Sequence, residues 1–171
     1  MKKLIITLFS ISFVFMLSRI AFAGQFEQAG EYYRYFEDDG TIAYDRMIDV
    51  GNDKYYVNGN GYAVFNSWIE KDNKFYYAGN DAKIYKNGVF DIEGYKYYLN
   101  DEGELQRGWC HNFDYYGDLE DGYLVNGFQE LEIPKDFNTE LTNERTAWFY
   151  FDTSTYKRVY ASNDPYITRT V

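Results

Sequence analysis

The chain has 171 residues, enough for one domain or one short array, and carries a formal charge of -10 with 22% aromatic residues. That acidity argues against nucleic acid and against docking on anionic lipid, both of which call for a surplus of Lys and Arg. It is compatible with a neutral sugar, a cationic ligand or a basic protein, and equally with a charge that only keeps an aromatic-rich chain soluble.

In chain order, the first element is a leader. Lys2 and Lys3 give a positive start, Leu4 to Leu17 form a short apolar run, and Ala21-Phe22-Ala23 is a small-x-small cleavage pattern before Gly24. Together these predict a secretory signal peptide over residues 1–23, with an uncleaved N-terminal anchor as the competing reading. The run is short for a membrane span, which needs about 20 apolar residues. Its removal takes away Lys2, Lys3 and Arg19 and no acid, so the remaining chain is more acidic still. No membrane insertion is expected after cleavage.

From there the sequence repeats itself. Tyr35, Tyr56, Tyr77 and Tyr98 lie 21 residues apart, and each stands five residues before a turn position: Gly40, Gly61, Ala82 and Gly103. Met47, Trp68, Val89 and Cys110 share one register between them. With 20 Tyr, 14 Gly and only 2 Pro, the composition is that of many short hairpins. In the second copy, Lys54–Asn58 reads as a first strand, Gly59-Asn60-Gly61 as the turn and Tyr62–Phe65 as the second strand. The segments Ser67-Trp68, Gly88-Val89-Phe90 and Gly108-Trp109 read as connectors to the next hairpin. A lone hairpin is marginal in water, so about three or more must stack, with atypical units at the ends.

A looser fifth copy runs from Tyr115-Tyr116 to Gly122 and leads into Gly127-Phe128. Residues 129–146 lose the period and are expected to hold a loop and one helical turn. Trp148–Phe151, a turn near Thr153 to Tyr156 and Arg158–Tyr160 read as a last hairpin. The expected organisation is an all-β, β-hairpin solenoid of about 21-residue repeats over residues 24–128. Residues 129–171 form a divergent C-terminal cap or a small subdomain.

Few residues suggest reaction chemistry. Cys110 is the only cysteine, which excludes an internal disulfide and leaves either a pairing between chains or a buried small hydrophobe. His111, the only histidine, adjoins it, but neighbours on a strand point to opposite faces and do not make a nucleophile–base pair. Asp114, Asp118, Glu120 and Asp121 match no Ca²⁺ loop spacing and read as a solvated turn. No catalytic residue, metal ligand or cofactor is expected, and the chain reads as a non-enzyme.

Lys-Tyr-Tyr-x-Asn-x-x-Gly followed by a Gly-aromatic connector resembles the cell-wall-binding repeat superfamily. That group comprises choline-binding modules, glucan-binding repeats and the receptor-binding regions of clostridial toxins. The stretch Gly88–Tyr98 is most similar to the short toxin repeats, and the resemblance covers about residues 31–128. It implies a hairpin solenoid without a catalytic centre, exported by a Gram-positive type of bacterium and held at its surface or released. Its ligands lie between successive hairpins on aromatic rings. Such rings hold alkylammonium groups by cation–π attraction or stack on the apolar face of a sugar. The strand aromatic is Phe75 in the third copy but Lys54 and Lys96 in the second and fourth, and the connector Trp stands only at Trp68 and Trp109. A choline-type ligand is therefore a weaker expectation than a cell-wall polymer or a glycan.

By register, Trp68, Phe75, Tyr76 and Tyr97 are expected to line a groove between the third and fourth hairpins, with Tyr98 and Trp109 contributing to the next. The plainer reading makes these rings the core between repeats, since the stack has little else to bury. The chain is accordingly expected to be a non-catalytic binding protein for cell-wall polymer or surface glycan. The alternative is a structural solenoid that engages a protein partner through its aromatics.

Overall fold

The computed structural model describes residues 24–134 and 145–160. The expected signal peptide at residues 1–23 and most of the expected loop and helical turn lie outside the described residues.

The described chain is built of antiparallel hairpins, each a separate two-stranded sheet. In chain order they pair β1 (Gln25–Ala29) with β2 (Tyr32–Phe36), β3 (Arg46–Val50) with β4 (Asp53–Val57), and β5 (Ser67–Lys71) with β6 (Lys74–Ala78). Next come β7 (Gly88–Ile92) with β8 (Tyr95–Leu99), β9 (Gly108–Cys110) with β10 (Tyr115–Gly117), and β11 (Gly127–Glu132) with β12 (Thr146–Phe151). We call these hairpins one to six. The expected all-β hairpin solenoid is the observed architecture, and the sixth hairpin draws on residues either side of 128.

The pairing within each unit differs from the reading of the sequence. Lys54–Asn58 does not pair with Tyr62–Phe65 across Gly61. Instead β4 pairs backward with β3, and the supposed connectors carrying Trp68, Val89 and Trp109 are the first strands of hairpins three, four and five. The reason lies in backbone sign. Gly51, between β3 and β4, takes positive φ at the first turn position, and Asp72-Asn73 and Glu93-Gly94 take it at both, which makes tight two-residue turns that match strand twist. The turn at Gly61 has positive φ only at its end, with Asn58 Oδ1 accepting the Asn60 and Tyr62 N–H groups at 3.0 and 3.1 Å. It redirects the chain, and Tyr62–Phe65 keeps only a single bridge, Val57 to Ala63.

That short segment after each turn ties the stack together. Val64 donates to Tyr56 of its own hairpin at 3.0 Å, while Ala63 donates to Tyr33 of the hairpin before at 2.8 Å. Ile84 to Lys54, Leu105 to Phe75 and Leu124 to Lys96 repeat the second bond at 2.7 to 2.8 Å. The last segment does the same when Arg158 donates to Asp114 at 2.6 Å.

Side-chain packing follows the same repeat. One face of each hairpin packs on the unit before it and the other on the unit after. Val57, Ala78 and Leu99, at equivalent positions, are 0% exposed. Tyr35, Tyr56, Tyr77 and Tyr98 are also buried, each in a cluster with residues of the next unit. Cys110 is buried beside Tyr98 and Leu124, and burial pushes its thiol up to about 12. It is a small core hydrophobe.

Candidate functional site

Hairpin three turns Trp68, Phe75 and Tyr77 to one face, because cross-strand partners share a face and alternate residues repeat it. Tyr77 is buried against Ile92 and Leu99 of hairpin four, while Trp68 and Phe75 lie nearer the rim. Hairpin four brings Tyr97 to the same place, and the Trp68 and Tyr97 rings meet edge to face with centroids 4.9 Å apart. A groove of about 630 Å³ lies against these rings and is lined also by Leu105 and by Tyr95 and Tyr123, whose rings are 5.6 Å apart.

The charged lining is mixed. Glu120 and Asp121, in the turn after hairpin five, line the groove together with Trp68. Asp118 fixes that turn by accepting the N–H groups of Glu120 and Asp121, each at 2.8 Å. Arg107 enters from the segment before β9 and sets its guanidinium 5.0 Å from the centroid of the Phe75 ring. Burial raises the pKa of the Tyr97 phenol, and the Asp121 carboxylate adds to the rise. Tyr97 is therefore a neutral ring with a donor hydroxyl at physiological pH. An aromatic wall beside two carboxylates is fitted to stacking on a sugar or holding a cation.

Of the residues singled out by sequence, Trp68, Phe75 and Tyr97 come together in this groove. Tyr76 does not: as the neighbour of Phe75 it points to the opposite face, where it packs on the cluster of Tyr56, Ile69 and Ile84. Tyr98 packs on Cys110 and borders a shallow polar cleft with His111 and Gln106. Trp109 belongs to the last cluster, edge to face with Phe149 at 4.8 Å, and its Nε1–H donates to the Glu132 carbonyl at 3.0 Å. Tyr98 and Trp109 therefore sit in successive cores and do not share a groove.

Arg107, Tyr95, Tyr123, Glu120 and Asp121 were not anticipated as groove residues. Tyr95 carried a usable signal, since it lies two residues before Tyr97 on one strand and so shares its face. The acids and Arg107 reach the groove through the stacking of units, which no local pattern encodes.

The lone histidine is outward-facing, its Nδ1 3.2 Å from Asp114 Oδ2, while Cys110 points inward. Among the described residues, no group of three or more His, Cys, Asp or Glu side chains is placed to hold a metal ion. No helix among them is long and apolar enough to cross a membrane.

No family model matches the sequence, and no curated protein sequence does. Solved structures do match. The chain is similar to choline binding protein F from Streptococcus pneumoniae at 19% identity and a TM-score of 0.60, over 78% of this chain and 41% of that one. CbpJ from Streptococcus pneumoniae TIGR4 gives 17% identity and a TM-score of 0.59, over 78% of this chain and 41% of that one. A pneumococcal cell wall endolysin from phage Cp-1, solved with choline, gives 22% identity and a TM-score of 0.52, over 83% of this chain and 38% of that one. The chain thus spans about two fifths of the length of these proteins and shares their hairpin-repeat fold.

Proposed function

We propose that this chain is a non-catalytic binding module that holds a bacterial cell-wall polymer or surface glycan in the groove of Trp68, Phe75 and Tyr97. The observation that carries the reading is the edge-to-face pair of Trp68 and Tyr97, 4.9 Å apart, lining an open groove that Glu120 and Asp121 also line. Rings clamped in this way are rigid, so a ligand stacking on them loses little to side-chain ordering. A choline-type group or an amino sugar on such a polymer would bring a cation to the aromatic faces and to Glu120 and Asp121. The solved structures of similar fold support the ligand class: one is complexed with choline, and choline binding protein F was solved with a peptidoglycan analogue. The charged start, apolar run and Ala-x-Ala pattern of residues 1–23 support export, and with it a secreted or surface-associated protein of a Gram-positive type of bacterium.

Retention on purified Gram-positive cell walls, and binding on a glycan array, test this. Wild type should be retained, and Trp68→Ala, shown to be folded by circular dichroism, should lose most retention. No retention of wild type on any wall or glycan overturns the proposal.

A second reading, a solenoid for a protein partner, is favoured by the outer face of hairpin six. There Phe128 and Trp148 are 70% and 65% exposed, and Phe128 lies 4.8 Å from the Tyr150 ring. Exposed rings of this kind mark protein interfaces. Paired Phe128→Ser and Trp148→Ser changes should leave wall retention intact under the first reading. They should remove the activity under the second.

A further inference from the structure

The backbone bonds that tie each unit to the one before also set two side chains against each other. Ala63 donates to Tyr33, Ile84 to Lys54, Leu105 to Phe75 and Leu124 to Lys96. The residues just before these donors and acceptors therefore meet across the units: Tyr62 and Tyr32, Lys83 and Asp53, Glu104 and Lys74, Tyr123 and Tyr95. The middle two rungs are ion pairs, Lys83 to Asp53 at 2.8 Å and Lys74 to Glu104 at 2.5 Å. The outer two are ring pairs, with centroids 4.9 Å apart for Tyr32 and Tyr62 and 5.6 Å apart for Tyr95 and Tyr123.

These two ring pairs are open to reagents in solution. Tyr32 and Tyr95 are 55% and 57% exposed, and Tyr62 and Tyr123 are half-buried. Arg34 donates to the Tyr62 phenol oxygen at 2.7 Å, which holds that ring in place and leaves its own O–H hydrogen free to depart. Two further tyrosine pairs come as near, Tyr77 with Tyr85 at 5.4 Å and Tyr98 with Tyr115 at 5.8 Å. Tyr77 and Tyr98 are each buried in a core cluster, where close packing fixes the ring and denies it to an oxidant. Cys110, the only thiol, is buried as well and does not intercept the oxidant.

We infer that Tyr32 with Tyr62, and Tyr95 with Tyr123, are sites of oxidative cross-linking by a peroxidase and hydrogen peroxide. Each phenol gives up one hydrogen atom, and the two phenoxyl radicals join through a new carbon–carbon bond between their ortho carbons. The two ortho hydrogens then move to the phenol oxygens and restore both rings. Hydrogen peroxide takes the two hydrogen atoms and leaves as two molecules of water. The links bridge residues 30 and 28 positions apart and fasten unit one to unit two and unit four to unit five. A bond of that span restricts the unfolded chain as a disulfide does, so the stack gains stability. Such bonds form whether or not the groove of Trp68 holds a ligand.

Treatment of the dilute full chain with hydrogen peroxide and a peroxidase, followed by mass spectrometry of the monomer and its tryptic peptides, tests this. The monomer should lose two hydrogen atoms per link and gain dityrosine fluorescence. Its peptides should be joined at Tyr32–Tyr62 and Tyr95–Tyr123, and its urea midpoint should rise above that of the untreated chain. Tyr32→Phe should remove the first link alone, and Tyr95→Phe the second alone. Asp53→Tyr combined with Lys83→Tyr, which sets a ring pair on an ion-pair rung, should gain a third link. In urea the links should scatter over other tyrosines. No dityrosine in the monomer, native links at other tyrosines, the same pattern in urea as in buffer, or a folded Asp53→Tyr, Lys83→Tyr chain without the third link would each overturn the inference.

Discussion

Leu105 donates its backbone N–H to the carbonyl of Phe75, in the hairpin before its own, at 2.8 Å. The same residue is bridged to Leu99 of its own hairpin. A single short segment therefore locks two units in register, and this depends on the turn that delivers it. Gly103 makes that turn at φ 84°, and a Cβ placed on it would lie 2.6 Å from Ile84 Cγ2 and 3.0 Å from the Tyr85 carbonyl oxygen. Gly103→Ala should cost about 2 kcal/mol, from the positive φ and the overpacking together, read as a lower urea midpoint at unchanged slope. A change within about 0.5 kcal/mol would show that the turn relaxes freely.

Burial separates structural rings and chains from exposed ones. Leu99 is 0% exposed within the cluster of Tyr77 and Ile92. Leu99→Ala should destabilise by about 2–5 kcal/mol in the same denaturation experiment. Trp148→Ala, on the open face of the sixth hairpin, should stay within about 0.5 kcal/mol of wild type. Equal losses from the two would mean that the face bearing Trp148 is covered in solution.

The tyrosine core sets the alkaline limit. Burial and donation to Asp45 push the Tyr56 phenol from 10.0 up to about 12. A folded value above the unfolded one means a contribution that is fully present below pH 10.0 and lost as pH rises toward about 12. The phenolate absorbance of Tyr56, read as the difference between wild type and Tyr56→Phe, should appear together with loss of the near-ultraviolet circular dichroism in that window. Ionisation of Tyr56 near pH 10 with the dichroism intact would contradict the burial of its ring.

Asp114 sets part of the acid limit. Burial alone would raise its carboxyl, but Tyr160 at 2.6 Å, Lys157 at 3.0 Å and His111 at 3.2 Å outweigh it and hold the group below its ordinary 3.8. With the folded value below the unfolded one, the contribution is present above pH 3.8 and lost as pH falls below it. Asp114→Asn should cost about 1–2 kcal/mol at neutral pH and flatten the acid limb of the stability curve. An unchanged acid limb would show that these bonds add nothing in solution.

The Cys110 thiol, raised to about 12 by burial, should resist a disulfide reagent at pH 8 until the chain unfolds. Fast modification of the native protein would place the sulfur at the surface instead.

The repeat itself was legible in the sequence, because Tyr35, Tyr56, Tyr77 and Tyr98 keep one period and each precedes a turn residue that must take positive φ. Alternation along a strand likewise separates Tyr76 from Tyr77 and Tyr97 from Tyr98, since side chains of neighbours point to opposite faces. Which strands pair was not legible. The residues at Gly61 and at Asp72-Asn73 are all ordinary turn residues, and what differs is where positive φ falls: at the first turn residue in the hairpins (Gly30, Gly51, Asp72, Glu93) and at the last in the redirecting turn of Gly61. The groove was decided at a further level still. Trp68, Phe75 and Tyr97 meet Arg107, Glu120 and Asp121 only because each unit stacks on the next. That stacking places residues far apart in the chain against one another through long-range packing and hydrogen bonds, which local composition does not specify.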